Sequence, residues 1–156
     1  MARARKVELD CEAPFAEAAA RVVEVRAEEL FVRSRGVLDL EDVERVHDMR
    51  VATRRLRAAL EVFAPCFPRK RHRKALKRVK RLADALGERR DLDVEIELLE
   101  GCRDEVAGED AASLEALIED LRARQRRAND DLAPHVAKQR LKKLRRRLAG
   151  LVGAVR

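Results

Sequence analysis

Glycine and proline are rare in this chain, and they are spaced so that the stretches between them have helix lengths. The sequence contains six glycines and four prolines among 156 residues. Those that divide it are Pro14, Gly36, Pro65, Pro68, Gly87, Gly101, Gly108 and Pro134. β-Branched residues are sparse outside short valine clusters, and no Asn-Gly or Asp-Gly hairpin signal occurs. The sequence therefore predicts an all-α helical bundle of about six helices, at 14–35, 41–64, 69–86, 90–107, 110–132 and 134–152.

Two positions in the middle of the chain decide how the helices are divided. Gly87 follows an apolar helical pattern, and we expect it to end the third helix in a left-handed conformation. Residues 91–98 alternate between acidic and apolar, which is typical of a strand, but Leu92, Ile96 and Leu99 also fall at helical spacing. A single strand would have no partner elsewhere in the sequence, so we predict a helix.

Length and composition are those of one globular domain, and we assign residues 1–156 to it. Hydrophobic residues make up 46% and charged residues 42%, so a core and extensive charged helical surfaces are both expected. No apolar run approaches the roughly 20 residues that a membrane span requires. Met1–Asp10 lacks the apolar centre of a secretory signal, and the three cysteines form no CxxC pair. We therefore expect a cytoplasmic protein without a membrane partner.

Charge is divided unevenly along the sequence. Residues 69–81 hold nine Lys or Arg and no acid, whereas residues 91–120 hold twelve acids and one arginine. Residues 140–147 are basic again, and the formal net charge is +7. This pattern indicates a basic face for an anionic partner. In the alternative interpretation, the acidic helix only offsets the basic one across the bundle.

The second predicted helix carries a row of cations beside its apolar stripe. His47, Arg50, Arg54 and Arg57 fall within an arc of about 80° when each residue advances by about 100°. Like charges at this spacing repel each other by a few tenths of a kcal/mol per pair, so the row favours a compensating anion or acidic partner residues. Arginine is also a good helix former, and chance alignment of three arginines is the alternative.

The third helix extends this basic surface. Lys80 lies at the edge of its apolar stripe, where it can face a groove shared with the second helix, and Lys77 and Arg73 lie on the same polar side. Arg90 and Asp91 follow Gly87, and a local ion pair that fixes a turn is at least as good an interpretation as a ligand role.

Neither a catalytic nor a metal-binding pattern is recognisable. Glu95 and Glu97 are not followed by the lysine of an ExExK motif, and the three histidines are too far apart for a helical metal pair. No GxxxxGK loop occurs. We expect no enzymatic activity, no metal and no cofactor. The chain also lacks Trp and Tyr, so it has few platforms on which single-stranded nucleic-acid bases could stack.

Two segments resemble the signature of a known family. Val46–Phe63 (VHDMRVATRRLRAALEVF) and Lys80–Val94 (KRLADALGERRDLDV) resemble, in order and spacing, the conserved-histidine α-helical domain, or CHAD, family. The resemblance implies a helical fold with a basic cavity that binds inorganic polyphosphate, and an association with polyphosphate granules. The matched ligand positions are His47, Arg50, Arg54, Arg57 and Lys80; Lys77 and Arg73 are added from the helical wheel.

The resemblance covers only the first of the two related helical halves that family members usually carry. Residues 139–145 are basic but are not a convincing second copy. We therefore expect one CHAD-like half of four-helix-bundle type, and a homodimer that rebuilds the cavity around a two-fold axis. A monomer with an open groove is the alternative assembly. The alternative functions are nucleic-acid binding and protein interaction.

Overall fold

A computed structural model describes residues 3–155, which form five α-helices and no strand. The helices are α1 Phe15–Arg33, α2 Glu44–Val62, α3 Arg69–Gly101, α4 Gly108–Val136 and α5 Lys138–Val152. Short 3₁₀ turns, Ala64–Cys66 and Arg103–Glu105, lie before and after α3. The all-α prediction is confirmed, and residues 91–98 are helical as predicted. Among the helices of residues 3–155, none combines the length and apolarity that a membrane crossing requires.

The prediction of about six helices is wrong, because the helices expected at 69–86 and 90–107 are one continuous helix. Gly87 lies inside α3 and has no positive φ, so it does not act as a left-handed stop. A mid-helix glycine costs about 1 kcal/mol relative to alanine. Buried residues on both sides of it, Leu82 and Leu86 before and Leu92 and Ile96 after, keep one face of α3 packed throughout.

The boundary between the last two helices also differs from the prediction. Pro134 does not begin the final helix but lies in the last turn of α4. Its ring removes one backbone donor, and the helix ends two residues later at Val136. Ala137 alone separates α4 from α5, with φ −55° and ψ 138°.

Four helical segments surround the main core. The helices α1, α2 and α5 and the first half of α3 contact one another in a ring, and the end of α4 closes it. The largest fully buried apolar side chains of this core are Val23, Leu30, Met49, Leu56, Leu60, Leu82, Leu86, Leu132, Leu148 and Leu151. The second half of α3 and the first half of α4 form a helical hairpin with its own small core of Leu92, Ile96 and Leu121.

A buried polar network lies where the hairpin meets the main core. The side chains of Arg89 and Asp93 are both fully buried, and Arg89 Nη1 donates to Asp93 Oδ1. Gln125 Nε2 of α4 donates to the same carboxylate at 2.6 Å. Asn129 accepts from Arg89 Nε at 3.3 Å and donates to the Leu38 carbonyl at 3.0 Å. The network therefore ties α3 to α4 and to the loop that leads into α2.

Burial also affects the ionisation of this arginine. It lowers the pKa of Arg89 to about 10, with a smaller contribution from Arg90, so the guanidinium stays charged at neutral pH. A charged pair in this position is strongly coupled, because removal of either partner leaves a buried charge without compensation.

We predict that Gly87→Ala stabilises the protein by about 0.5–1 kcal/mol, because alanine is the better helix former. A Cβ at position 87 would meet no atom within 4 Å. Gly36→Ala is the control and should destabilise the protein, because Gly36 has φ +66° and a Cβ there would lie 3.0 Å from Arg45 Nη1. Urea denaturation measures both; a destabilised Gly87→Ala protein would contradict the continuity of α3.

We predict that Asp93→Leu destabilises the protein by about 3–5 kcal/mol, because it leaves the Arg89 guanidinium buried and unpaired. The double variant Arg89→Met/Asp93→Leu should recover most of this loss, because no buried charge remains. Equilibrium unfolding in urea measures the coupling. A single variant as stable as the wild type would show that Arg89 does not depend on this carboxylate.

Candidate anion-binding site

A groove of about 450 Å³ runs between α2 and α3. These helices are antiparallel, since Glu61 near the end of α2 contacts Lys80, and Glu44 at its start contacts Arg90. The groove is lined from α2 by the arginine row, Arg50, Arg54 and Arg57. The structure thus brings three members of the predicted row onto one concave surface.

The opposite side of the groove is acidic. From α3 it presents the carboxylate wall, Asp84, Glu88 and Asp91, whose spacing puts them on one helix face. Ala83 and Gly87 also line the groove, and they leave it open because alanine carries only a methyl group and glycine carries no side chain. The formal charges of the two walls cancel, three positive against three negative. This wall is not predicted from the sequence, because a helix that ends at Gly87 separates Asp84 from Glu88 and Asp91.

Two arginines of the row are not engaged by acids. No carboxylate of residues 3–155 lies within the 4.0 Å ion-pair limit of Arg50 or Arg54. Arg50 is half-buried and Arg54 is exposed. Their guanidinium groups therefore keep their donors for a guest in the groove.

Glu61 forms ion pairs with the cations at the other end of the row. Its Oε1 lies 3.0 Å from Lys80 Nζ and accepts from Arg57 Nε at 3.1 Å. Hydrogen bonds from Lys80 and then from Arg57 lower the pKa of Glu61, so it is a carboxylate at neutral pH. Lys80 therefore faces α2, as the sequence predicts, but it meets an acid there and does not line the groove.

His47 lies outside the groove lining, at the start of α2. It forms a group with Glu44 and Asp48 whose ligand atoms all lie within 4.8 Å of one another. These ligand types suit a divalent cation, but arginines already compensate both acids: Arg90 lies 3.8 Å from Glu44, and Arg33 lies 3.3 Å from Asp48. Arg90 thus bridges to α2. The turn fixed by a local Arg90–Asp91 ion pair, one of the two interpretations of these residues, does not form, because both residues lie within α3.

The two remaining predicted residues lie on the outer surface. Lys77 and Arg73 are exposed on the first half of α3 and do not line the groove. They are one helical turn apart and continue the polar face on which Lys80 lies. The structure therefore brings the predicted residues together in two sets, the arginine row in the groove and the lysine-rich surface of α3, with Glu61 between them.

The arginine row has the chemistry to bind an extended anion. Arg50 and Arg57 are about 10 Å apart along the helix axis, so the row spans two turns. Each guanidinium can donate two parallel hydrogen bonds to an oxyanion such as phosphate.

A protein-family model described as CHAD domain matches residues 19–155, from α1 almost to the end of the chain. The search of curated proteins finds no match.

Proposed function

The chain belongs to the CHAD domain family, and we propose that it binds inorganic polyphosphate along the arginine row of the α2–α3 groove. The family is linked to polyphosphate binding in general. The observation that carries the proposal for this chain is the alignment of Arg50, Arg54 and Arg57 in one groove, two of them without an acidic partner within residues 3–155. The proposal is one of binding, without catalysis.

The direction of the helices supports a path longer than the groove. Because α2 and α3 are antiparallel and meet at Glu61 and Lys80, the row from Arg50 to Arg57 continues onto α3 in the order Lys80, Lys77, Arg73. Each of these two segments spans about 10 Å. A flexible polyanion can lie along both segments. A protein that binds polyphosphate in this way would also be retained on polyphosphate granules.

Glu61 is the internal competitor for this path. It holds Arg57 and Lys80 where the two segments meet, so a bound polyphosphate has to displace it or pass around it. Both ion pairs are about 40% exposed, and exposed pairs contribute little stability. A phosphate chain that makes several simultaneous contacts can therefore replace the carboxylate.

We also propose a homodimer that extends the groove. Beyond the start of α2, the groove face of α3 continues with Val94 and Leu98, which are spaced with Gly87 and Asp91 on one side of the helix. These apolar side chains are 47% and 68% exposed. The family resemblance implies two helical halves, and a second copy seated here would supply the other half.

We predict that Arg50→Ala/Arg54→Ala/Arg57→Ala lowers the affinity for long-chain polyphosphate about tenfold or more, because several charge-assisted contacts are lost. The dependence of log Kd on log salt should also become shallower, since fewer counterions are released. Competition with a fluorescent polyphosphate at three salt concentrations measures both. Glu61→Gln should bind more tightly than the wild type, because it frees Arg57 and Lys80.

The control removes equal charge from exposed positions of α1 and α5 that do not line the groove, through Arg21→Ala/Lys142→Ala/Arg146→Ala. It should bind within about threefold of the wild type, because long-range charge effects are screened by salt. Equal losses of affinity in both triple variants would show that net charge alone explains the binding. Duplex DNA that competes as well as polyphosphate at moderate salt would favour the nucleic-acid alternative, and release of orthophosphate from polyphosphate with Mg²⁺ would contradict binding without catalysis.

We predict a particle of twice 17.8 kDa by light scattering, and its conversion to monomer by Leu98→Glu. A charge placed in an apolar interface would be desolvated without a partner, which weakens association. Val62→Glu is the matched control, because Val62 is 70% exposed and lies at the opposite end of α2. A monomeric wild type, with and without polyphosphate, would refute the dimer.

A further inference from the structure

A second group of cations gathers on the other flank of α3. The α3–α5 cluster consists of Arg78 and Arg81 from α3, His135 from the last turn of α4, and Arg140 and Arg147 from α5. Helices α3 and α5 run antiparallel, because Arg71 Nη1 donates to the carbonyl of Gly150 at 3.4 Å. Arg78 and Arg81 therefore lie beside the first half of α5.

The cluster is separate from the α2–α3 groove. Gly87 in the groove is nine residues from Arg78, which places the two about half a turn apart around the axis of α3. The apolar stripe of α3 lies between these two flanks, with Leu86 near its centre. Arg78 consequently faces away from the groove, whereas Arg81 lies about 60° around the helix from Asp84, on the outer polar face of α3 between the two surfaces.

Within residues 3–155, the four arginines of the cluster have no carboxylate at ion-pair distance. Another arginine of α5 does have an acidic partner, since Arg145 pairs with Glu28 at 2.6 Å. Burial, and then repulsion from Arg140, Arg147 and Arg81, lowers the pKa of Arg78. The antiparallel packing of α3 against α5 is what brings these cations to one surface.

Two further features of the cluster favour a negative guest. His135 Nδ1 is buried and has no hydrogen-bond partner among the described residues. Helix α5 begins beside it without a side-chain cap and without an acid in its first turn. The N-terminus of a helix carries partial positive charge, so Arg140 in that turn adds a cation where an anion would be stabilising.

We propose that the α3–α5 cluster is a second anion site that binds a phosphate group, with Arg78, Arg81, Arg140 and Arg147 as donors around His135. The phosphate group can belong to a short inorganic phosphate, such as triphosphate, or to a segment of a longer polyphosphate. The site goes beyond the proposed function, because it binds a phosphate group without the arginine row.

The test compares four forms of the full chain with inorganic triphosphate, by calorimetric titration and by thermal unfolding. They are the wild type, Arg140→Ala/Arg147→Ala, the control Lys142→Ala/Arg146→Ala, and the Arg50/Arg54/Arg57 triple alanine variant. Lys142 and Arg146 are exposed and lie about 100° or more around α5 from Arg140 and Arg147, so the control loses equal charge from another face of the same helix. Arg140 and Arg147 are also exposed, so their removal leaves the core intact.

We predict that Arg140→Ala/Arg147→Ala weakens triphosphate binding about tenfold or more, while the Lys142→Ala/Arg146→Ala control stays within about threefold of the wild type. The triple alanine variant should retain a triphosphate site that depends on Arg140 and Arg147. Its unfolding temperature without anion should be equal to or above that of the wild type, because repulsion is removed. Triphosphate should raise the unfolding temperature of the wild type much more than that of this variant.

The alternative results have distinct meanings. Triphosphate binding that survives in Arg140→Ala/Arg147→Ala overturns the second site, whatever the groove does. Equal weakening by the Lys142/Arg146 control also overturns it, because net charge would then explain the effect. If long polyphosphate loses affinity in Arg140→Ala/Arg147→Ala together with triphosphate, the site also holds a segment of the polymer. The proposed function is tested separately, by whether the Arg50/Arg54/Arg57 triple alanine variant loses binding of long-chain polyphosphate.

A second measurement follows His135 directly in the wild type by NMR titration, with His135→Gln identifying its signal. Burial, and then Arg78, Arg140 and Arg81, lowers the pKa of His135 below its ordinary value in the free protein. An anion seated among these groups favours the protonated ring, so triphosphate should shift the midpoint to higher pH. An unchanged midpoint at saturating triphosphate would overturn the assignment of His135 to the site.

Discussion

The buried pair of Arg89 and Asp93 fixes the geometry on which the rest of the molecule depends. It lies half a turn beyond Gly87, at the point where α3 leaves the main core and enters the hairpin. Through Gln125 and Asn129 the same network holds α4 and the carbonyl of Leu38 in the loop before α2. Because α3 continues as one helix through this point, Asp84, Glu88 and Asp91 share one face opposite the arginine row. The shared face of the carboxylate wall thus depends on the continuity of α3 at a point that lies outside the groove.

The distribution of charge opposes what helix stability would select. The first half of α3 and the start of α5 place cations at the positive ends of their helix dipoles, and α3 begins with no acid in its first turn. Acids would be stabilising at those positions by a few tenths of a kcal/mol each. Arg145 shows that this fold does supply acidic partners to some α5 arginines. Local violations of this kind are expected where a surface is shaped for a ligand, and an anion relieves both the dipole and the repulsion between cations.

The sequence predicts most of the fold class and part of the site, and the errors have identifiable causes. Helical periodicity is enough to align Arg50, Arg54 and Arg57, because they belong to one helix and their relation depends on the 3.6-residue turn alone. Gly87 carries an apparent stop signal, and only the burial on both sides of it shows that α3 continues. This misassigned boundary hid the carboxylate wall. His135 and Arg140 lie near Arg78 through the packing of three helices, which no local pattern encodes.

The two walls of the α2–α3 groove together favour a thin polyanion over a broad one. Polyphosphate is a single flexible chain with no bases, so it can lie against α2 while keeping its distance from Asp84, Glu88 and Asp91. A nucleic-acid duplex carries two phosphate backbones and is too wide to enter a groove of about 450 Å³. A single nucleic-acid strand would bring bases that usually stack on aromatic rings, and this chain has only four phenylalanines and no Trp or Tyr. Under the proposed function, the carboxylate wall would act as a selectivity element, because it repels any anion that is not held close to the arginine row.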